Sequence, residues 1–244
     1  MYLIKLIVFI VISSSFTHKL IASEEMRLID NLRKAKAGDY IVTAQNKSYS
    51  LLHIASKQSD RIAVEEISIA APKYPKGLPW HKWVADGAQN YSSWVVYHID
   101  LQSGQSLATY ALTRQGWMPI AHRNNILYTL LNLQLSKIPH EQRRRVGAGF
   151  TFTPHDKRPL WQPVATHEGA SINGLHFEGW KTRWPKDGSD LSDMVIEAYI
   201  PAEETAIPNY FPYWLQISGS IVCAKIRIVD TGSSLSCPIA LPVR

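Results

Sequence analysis

The sequence predicts a mainly β fold of the α+β class, in which an N-terminal helix and helical insertions cover a single curved antiparallel sheet or half-barrel. Three observations predict this fold. Apolar and polar side chains alternate along several short segments, with the two-residue period of a half-buried strand. Turn-forming residues separate these segments at short intervals, which favours antiparallel neighbours. Apolar residues at helical spacing occur in few stretches, and those stretches can cover one sheet face.

The first elements are a helix followed by a meander of strands. Residues 24–36 carry apolar side chains at helical spacing and end in a basic turn. Along the third strand the apolar phase slips between Val64 and Ile67, which predicts a β-bulge near Glu65-Glu66. The strands expected in this part are residues 39–45, 48–56 and 61–70.

The middle of the chain alternates insertions with strands. Proline interrupts residues 72–91, where a short helix is expected around Trp80 and Trp83. A second helix is predicted from Asn125 through Leu135, although Leu131, Leu133 and Leu135 also fit a strand. The further strands expected are residues 94–101, 105–113, 171–184 and 193–200.

The last strand has the clearest alternation. Ala224, Ile226 and Ile228 share one face with Val222, and Lys225 and Arg227 point the other way. We expect this strand to close one edge of the sheet. Asp230–Ser234 is then its terminating turn, because Asp, Gly and Ser favour turns.

The N-terminus predicts export. Residues 1–23 combine a lysine, a short apolar run and small residues, as a secretory signal peptide does. Residues 24–244 then form a single β-rich domain in the periplasm or cell envelope. An uncleaved N-terminal membrane anchor is the alternative, since the residues at the expected cleavage site fit imperfectly.

Two cysteines lie near the C-terminus. In an oxidising compartment Cys223 and Cys237 can form a disulfide that ties the tail to the last strand. The sequence leaves the pairing open, because connectivity does not follow from spacing. The formal net charge of +6 is compatible with an anionic membrane surface, and no motif indicates nucleic-acid binding.

The candidate catalytic and metal motifs are incomplete. Asp230–Ser234 resembles an aspartic-protease active-site loop, but that chemistry needs a second such aspartate and a covering hairpin. His167-Glu168, His176 and Glu178 lack the spacing of a zinc site. No serine-nucleophile, dinucleotide or phosphate-loop motif is present. We therefore predict a non-enzymatic protein without metal or cofactor. A hydrolase is the third of three functional hypotheses, after the two given below.

Tryptophan-rich segments are the candidate ligand-binding residues. Indole rings beside lysine and arginine suit a contact with lipid headgroups, an acyl chain or glycan. The alternative is that these rings cover a concave sheet and bury themselves. The five candidates are Trp80, Trp83, Trp94, Trp180 and Trp184.

The order of elements resembles the lipoprotein-carrier and lipoprotein-sorting proteins of the bacterial envelope. This resemblance is carried by Ala37–Tyr40 at the helix-to-strand turn, by the meander after it, and by Phe211–Leu215, which lead the closing hairpin of residues 213–234. It implies an unclosed antiparallel barrel around helices, with an apolar cavity for acyl chains. The leading hypothesis is therefore an envelope protein that binds a lipid or a lipidated partner. The alternative is an interaction module that uses its tryptophan-rich loops.

Overall fold

A computed structural model describes residues 24–118, 126–147, 156–202, 205–219 and 223–240. The predicted signal peptide lies outside these residues, as does Asn125, the expected cap of the second helix. Within the described ranges no helix has the length and apolar character needed to cross a bilayer.

The strands in chain order are β1 (Glu25–Met26), β2 (Tyr40–Gln45), β3 (Ser48–Lys57), β4 (Arg61–Ala70), β5 (Ser93–Asp100), β6 (Ser106–Ala111), β7 (Gly116–Met118), β8 (Leu135–Lys137), β9 (Ala165–His167), β10 (Ala170–Ile172), β11 (Phe177–Arg183), β12 (Val195–Pro201), β13 (Trp214–Ser218) and β14 (Cys223–Gly232). The α-helices are α1 (Leu28–Leu32), α2 (Trp80–Ala85) and α3 (Ile126–Asn132). Short 3₁₀ turns occupy Ala71–Lys73, Leu112–Arg114 and His140–Gln142. The helix predicted over 24–36 is thus much shorter, and Leu135 adopts the strand conformation that its alternation allowed.

Twelve of the described strands form one antiparallel sheet, in the order β1-β8-β11-β12-β13-β14-β2-β3-β4-β5-β6-β7. The sheet is curved and unclosed, which confirms the predicted fold class. The remaining two strands, β9 and β10, form a separate hairpin.

The last strand, β14, lies inside the sheet, so the prediction that it closes an edge is wrong. It pairs with β13 on one side and with β2 on the other. Because β2 is the first long strand and β14 the last, this pairing joins the two halves of the sheet. Local alternation predicts a strand but not its long-range neighbours.

Strands β2 to β5 lie between two apolar layers. Directly paired residues of neighbouring antiparallel strands point to the same side of the sheet, so each layer contacts one set of side chains. We call the two sides the inner and outer faces. The inner face packs against α1 and α3, and the outer face packs against α2. Representative inner-face residues are Ile41, Leu52, Val64 and Ile99, and their outer-face counterparts are Tyr40, Leu51, Ile67 and Trp94.

The bulge predicted near Glu65-Glu66 lies on the neighbouring strand instead. β4 pairs regularly there, with Glu65 opposite His53 and Glu66 opposite Leu52. The register shifts on β3 between Ile54 and Ser56. The sequence signal therefore had a different cause: β4 has apolar packing on both faces and carries two carboxylates in its middle.

Candidate functional site

An inner-face cavity

A cavity of about 810 Å³ opens on the inner face of the sheet. This volume lies within the range of roughly 300–1,000 Å³ that is common for small-molecule sites. Strands β2 to β6 form one wall and α3 forms the opposite wall. Tyr210 and Phe211, which precede β13, also line it. The remaining apolar lining residues are Leu32, Leu52, Val64, Ile99, Ile126, Leu127, Leu130, Leu131 and Ile226.

The two ends of the cavity differ in exposure, and Ser106 lies opposite Ile99 at the end beside α1. At the β2–β3 turn its lining residues Gln45, Asn46 and Ser48 are exposed. At the opposite end, beside α1, Leu32 and Ile99 are buried. This arrangement suits an elongated amphiphilic ligand with its apolar part toward α1, because transfer of apolar surface from water drives such binding.

Glu66 is the one charged side chain among the described residues that line the cavity. The Tyr97 hydroxyl donates a hydrogen bond to Glu66 Oε2 at 3.0 Å. Burial, followed by the charge of Glu66, raises the pKa of Tyr97 well above its usual range. Tyr97 therefore stays protonated and keeps donating to the carboxylate at neutral pH.

A buried cluster on the outer face

Glu65, the neighbour of Glu66, anchors a polar cluster on the outer face, in which His53 and Trp94 are buried and Cys237 is half-buried. Its Oε2 lies 2.9 Å from His53 Nδ1. Its Oε1 accepts hydrogen bonds from Trp94 Nε1 at 2.7 Å and from the Cys237 thiol at 3.2 Å. Glu65 has 0% exposure and His53 2%, so these contacts compensate the cost of burying a polar group.

This cluster has the geometry of a structural network, not of a nucleophilic site. His53 Nε2 lies 3.0 Å from the Leu235 carbonyl, which can only accept, so Nε2 carries a proton and cannot act as a base. Burial and then Glu65 raise the pKa of the Cys237 thiol to about 12. A thiol with such a pKa is a poor nucleophile at neutral pH. The cluster instead holds residues 235–237 of the C-terminal tail against the sheet.

The predicted site residues

The five tryptophans do not line the cavity. Trp80, Trp83 and Trp94 belong to the outer-face layer, and Trp180 and Trp184 belong to the large inner cluster. None has more than 9% exposure. These rings are therefore buried in the packed layers, outside the cavity lining.

The sequence left the pairing of Cys223 and Cys237 open, and in the structure both are free thiols. Cys223 begins β14, whereas Cys237 contacts Glu65 beyond the opposite end of that strand. The ten residues of β14 extend about 30 Å at a rise of roughly 3.3 Å per residue. A disulfide requires Cα atoms within about 7 Å.

Asp230 and Thr231 lie within β14, so the prediction that they begin a terminating turn is wrong. The register of β14 shifts between Ile228, opposite Thr43, and Asp230, opposite Val42. This bulge moves Asp230 to the outer face, where it is buried. Simple alternation would have placed it beside Ile228.

Asp230, Thr231 and Gly232 each have a structural role. Asp230 Oδ1 accepts a hydrogen bond from the Gly169 backbone amide at 3.1 Å, and Thr231 Oγ1 donates to the Thr166 carbonyl at 2.9 Å. A Cβ atom at Gly232 would overlap the ring of Tyr40. These contacts explain the three residues without protease chemistry, which needs two carboxylates that share a proton.

The side chains considered for a metal site bind different partners. His167 Nδ1 lies 3.1 Å from Thr231 Oγ1, while Glu178 forms an ion pair with Lys137 at 2.6 Å. His176 is exposed. Across the described ranges, His, Cys, Asp and Glu form no group of three that could hold a metal ion.

The sequence interpretation did not single out Glu65, Glu66, His53 or Tyr97. Two adjacent carboxylates in the middle of an apolar strand were the available signal, and they were read as a bulge. Alternation assigns one carboxylate to each face, but it cannot show that one face is closed and the other holds a cavity.

Comparison with known proteins

The fold and the cavity define a class: a mainly β protein whose curved, unclosed antiparallel sheet partly encloses an apolar site. The chain belongs to the CT021 family, because the sequence model described as "CT021 protein" matches residues 50–173, just over half of the chain. These residues extend from β3 to β10 and include both Glu65 and Glu66.

The structure is similar to that of the hypothetical protein CT021 from Chlamydia trachomatis, with a TM-score of 0.62 and 20% sequence identity. The alignment covers 90% of this chain and 99% of that chain. At this identity the similarity shows the fold alone. A comparison with curated proteins gives no match.

Proposed function

We propose that this protein binds the apolar chain of a lipid, or of a lipidated protein, in the inner-face cavity. The observation that supports the proposal is a cavity of about 810 Å³ with a polar, exposed opening and an apolar, buried end. Burial of an alkyl chain there would contribute about 0.8 kcal/mol for each CH₂ group removed from water. A relation to envelope lipoprotein carriers is part of this proposal, and the unclosed antiparallel sheet is compatible with it.

The proposal also places the protein outside the cytoplasm, on the basis of the signal-peptide pattern in residues 1–23. Its basic surplus would favour contact with an anionic membrane from which a lipid could be taken. Cell fractionation, followed by N-terminal sequencing of the purified protein, tests this part. Recovery in the cytoplasm with residues 1–23 intact would contradict it.

The binding test uses Nile red, a neutral dye that fluoresces in apolar surroundings, and one variant for each wall of the cavity. Leu52→Trp fills the cavity from β3, and Leu130→Trp fills it from α3. Both positions are only partly buried, so the added ring can be accommodated without repacking the core. We expect both variants to lose at least about ten-fold in dye affinity, the equivalent of about 1.4 kcal/mol.

Ser56→Trp is the matched control, because Ser56 is exposed on the same strand as Leu52 and lies outside the cavity lining. Thermal melting confirms that each variant folds. Organic extraction of the purified wild-type protein, followed by mass spectrometry, should release a bound lipid. Equal dye binding by the wild type and both cavity variants would rule out the proposed site.

A further inference from the structure

The polar chemistry of the cavity centres on Glu66. One carboxylate oxygen, Oε2, accepts the hydrogen bond from Tyr97. The other, Oε1, has no hydrogen-bond partner among the described residues, and the side chain is half-buried. A carboxylate has acceptor capacity for several hydrogen bonds, so Oε1 is available to a ligand.

The hydroxyl groups around Glu66 already have acceptors. Thr43 donates to the Ser50 carbonyl at 3.1 Å, and Tyr210 donates to the Leu52 carbonyl at 2.6 Å. Ser106 and Thr109 lie 3.2 Å apart and bond to each other. Away from its exposed mouth, the cavity therefore offers a ligand an acceptor and few free donors.

The charge of the lining residues also favours a ligand that donates hydrogen bonds. Among the described lining residues there is no lysine, arginine or histidine to balance Glu66 or to pair with an anion. The guanidinium of Arg33, which directly follows α1, is bound to Asp30 and to the carbonyls of Leu101 and Gln102. A ligand carboxylate beside Glu66 would face a like charge with reduced solvent screening, which disfavours its charged form.

We infer that Glu66 selects the polar group of the ligand. The cavity takes an amphiphile whose polar group donates hydrogen bonds and carries no negative charge, such as a hydroxyl, amide or ammonium group. A free fatty-acid anion is disfavoured. This inference rests on the proposed function and assigns the ligand class for the same cavity.

Displacement of Nile red by three ligands of equal chain length tests the inference at neutral pH. The ligands are dodecylamine, dodecanol and dodecanoate, each used below its aggregation concentration. We expect the amine and the alcohol to displace the dye at concentrations at least about ten-fold lower than dodecanoate does, as for a hydrogen bond to a charged group. The amine and alcohol arms show whether the preferred donor is cationic or neutral.

Glu66→Gln removes the charge and keeps the size of the side chain. It should reduce the ratio between amine and dodecanoate affinities to within about three-fold, a residual preference below 1 kcal/mol. Asp60→Asn is the matched control, since it also removes one negative charge but from an exposed position outside the lining. It should leave the wild-type ratio unchanged.

The outcomes separate this inference from the proposed function. If Nile red binds, the cavity-filling variants block it and dodecanoate competes as well as the amine and the alcohol, the inference is overturned while the proposed site stands. An unchanged ratio in a folded Glu66→Gln variant overturns it as well. Should that variant fail to fold, the wild-type ratio alone decides. Absence of Nile red binding to the wild type overturns both.

Discussion

Glu65 and Glu66 are adjacent on β4, but their side chains lie on opposite faces of the sheet and in different surroundings. On the outer face, Glu65 is fully buried and contacts His53, Trp94 and Cys237. On the inner face, Glu66 borders an open cavity and has Tyr97 as its one hydrogen-bond partner among the described residues.

This difference indicates that the outer-face layer contributes mainly to stability and that the inner-face cavity contributes mainly to binding. The outer-face layer closes over its polar groups, so a change there should cost folding free energy. The inner-face cavity leaves surface and an acceptor atom open, so a change there should alter binding with little loss of stability. The same strand supplies both, because consecutive residues of a strand point to opposite sides.

The largest expected effect comes from replacing Glu65 by leucine. Glu65→Leu leaves Trp94 Nε1 and the Cys237 thiol without their acceptor, and it leaves His53 Nδ1 without its partner in a buried site. We expect a loss of about 3–5 kcal/mol in the free energy of unfolding. Glu66→Leu is the matched control and should change it by less than about 1 kcal/mol. Urea unfolding measures both, and equal losses would contradict the distinction between the faces.

The second effect concerns the close packing of Gly232 against Tyr40 on the outer face. Gly232→Ala would push a methyl group into the ring and should destabilise the protein by about 1–3 kcal/mol, as overpacking does. Gly116→Ala, in the edge strand β7, meets its nearest atom at an ordinary 3.7 Å and should stay within about 0.5 kcal/mol. If thermal melting shows similar stability for the two variants, the outer face is less tightly packed than the structure shows.

A third effect is a pH dependence from Asp230. Burial raises the pKa of this carboxyl above the value of an unfolded chain, so the folded protein retains the proton to higher pH. Its contribution to stability is complete below the unfolded pKa of about 3.9 and is lost as pH rises through the folded pKa. Each pKa unit of elevation corresponds to about 1.4 kcal/mol.

Comparison of the wild type with Asp230→Asn isolates this contribution, because asparagine keeps an oxygen that can accept from Gly169. The free energy of unfolding of the wild type should fall relative to the variant as the pH increases from the acid range. Lowered pKa values of Asp100, Asp156 and Asp187 give the opposite slope, but they cancel in the difference. A difference that is constant with pH would show that the Asp230 carboxyl is not desolvated.

The last prediction concerns thiol reactivity, which tests the buried cluster without changing the stability of the protein. In native protein purified without reductant, Cys223 is exposed and should react readily with a maleimide. Cys237, whose pKa burial raises to about 12, should react at least about ten-fold more slowly. In denaturant both should react fully, as two free thiols. Absence of labelling in denaturant before reduction, with labelling afterwards, would reveal a disulfide instead.

The local elements follow from the sequence alone. The predicted bounds 48–56 and 61–70 agree closely with β3 and β4, because alternation along a half-buried strand depends only on neighbours in the chain. The mainly β class follows from the number of such segments. At Glu65 and Glu66 the same periodicity was misread as a bulge, although β4 pairs regularly there.

The tertiary structure alone decided the rest. The pairing of β14 with β2, the bulge that turns Asp230 outward and the distance between the two cysteines depend on residues far apart in the chain. Whether Glu66 borders a cavity depends on how closely α3 approaches the sheet. Alternation records which side of a strand a residue occupies, whereas packing against distant segments decides whether that side is filled or left open to a ligand.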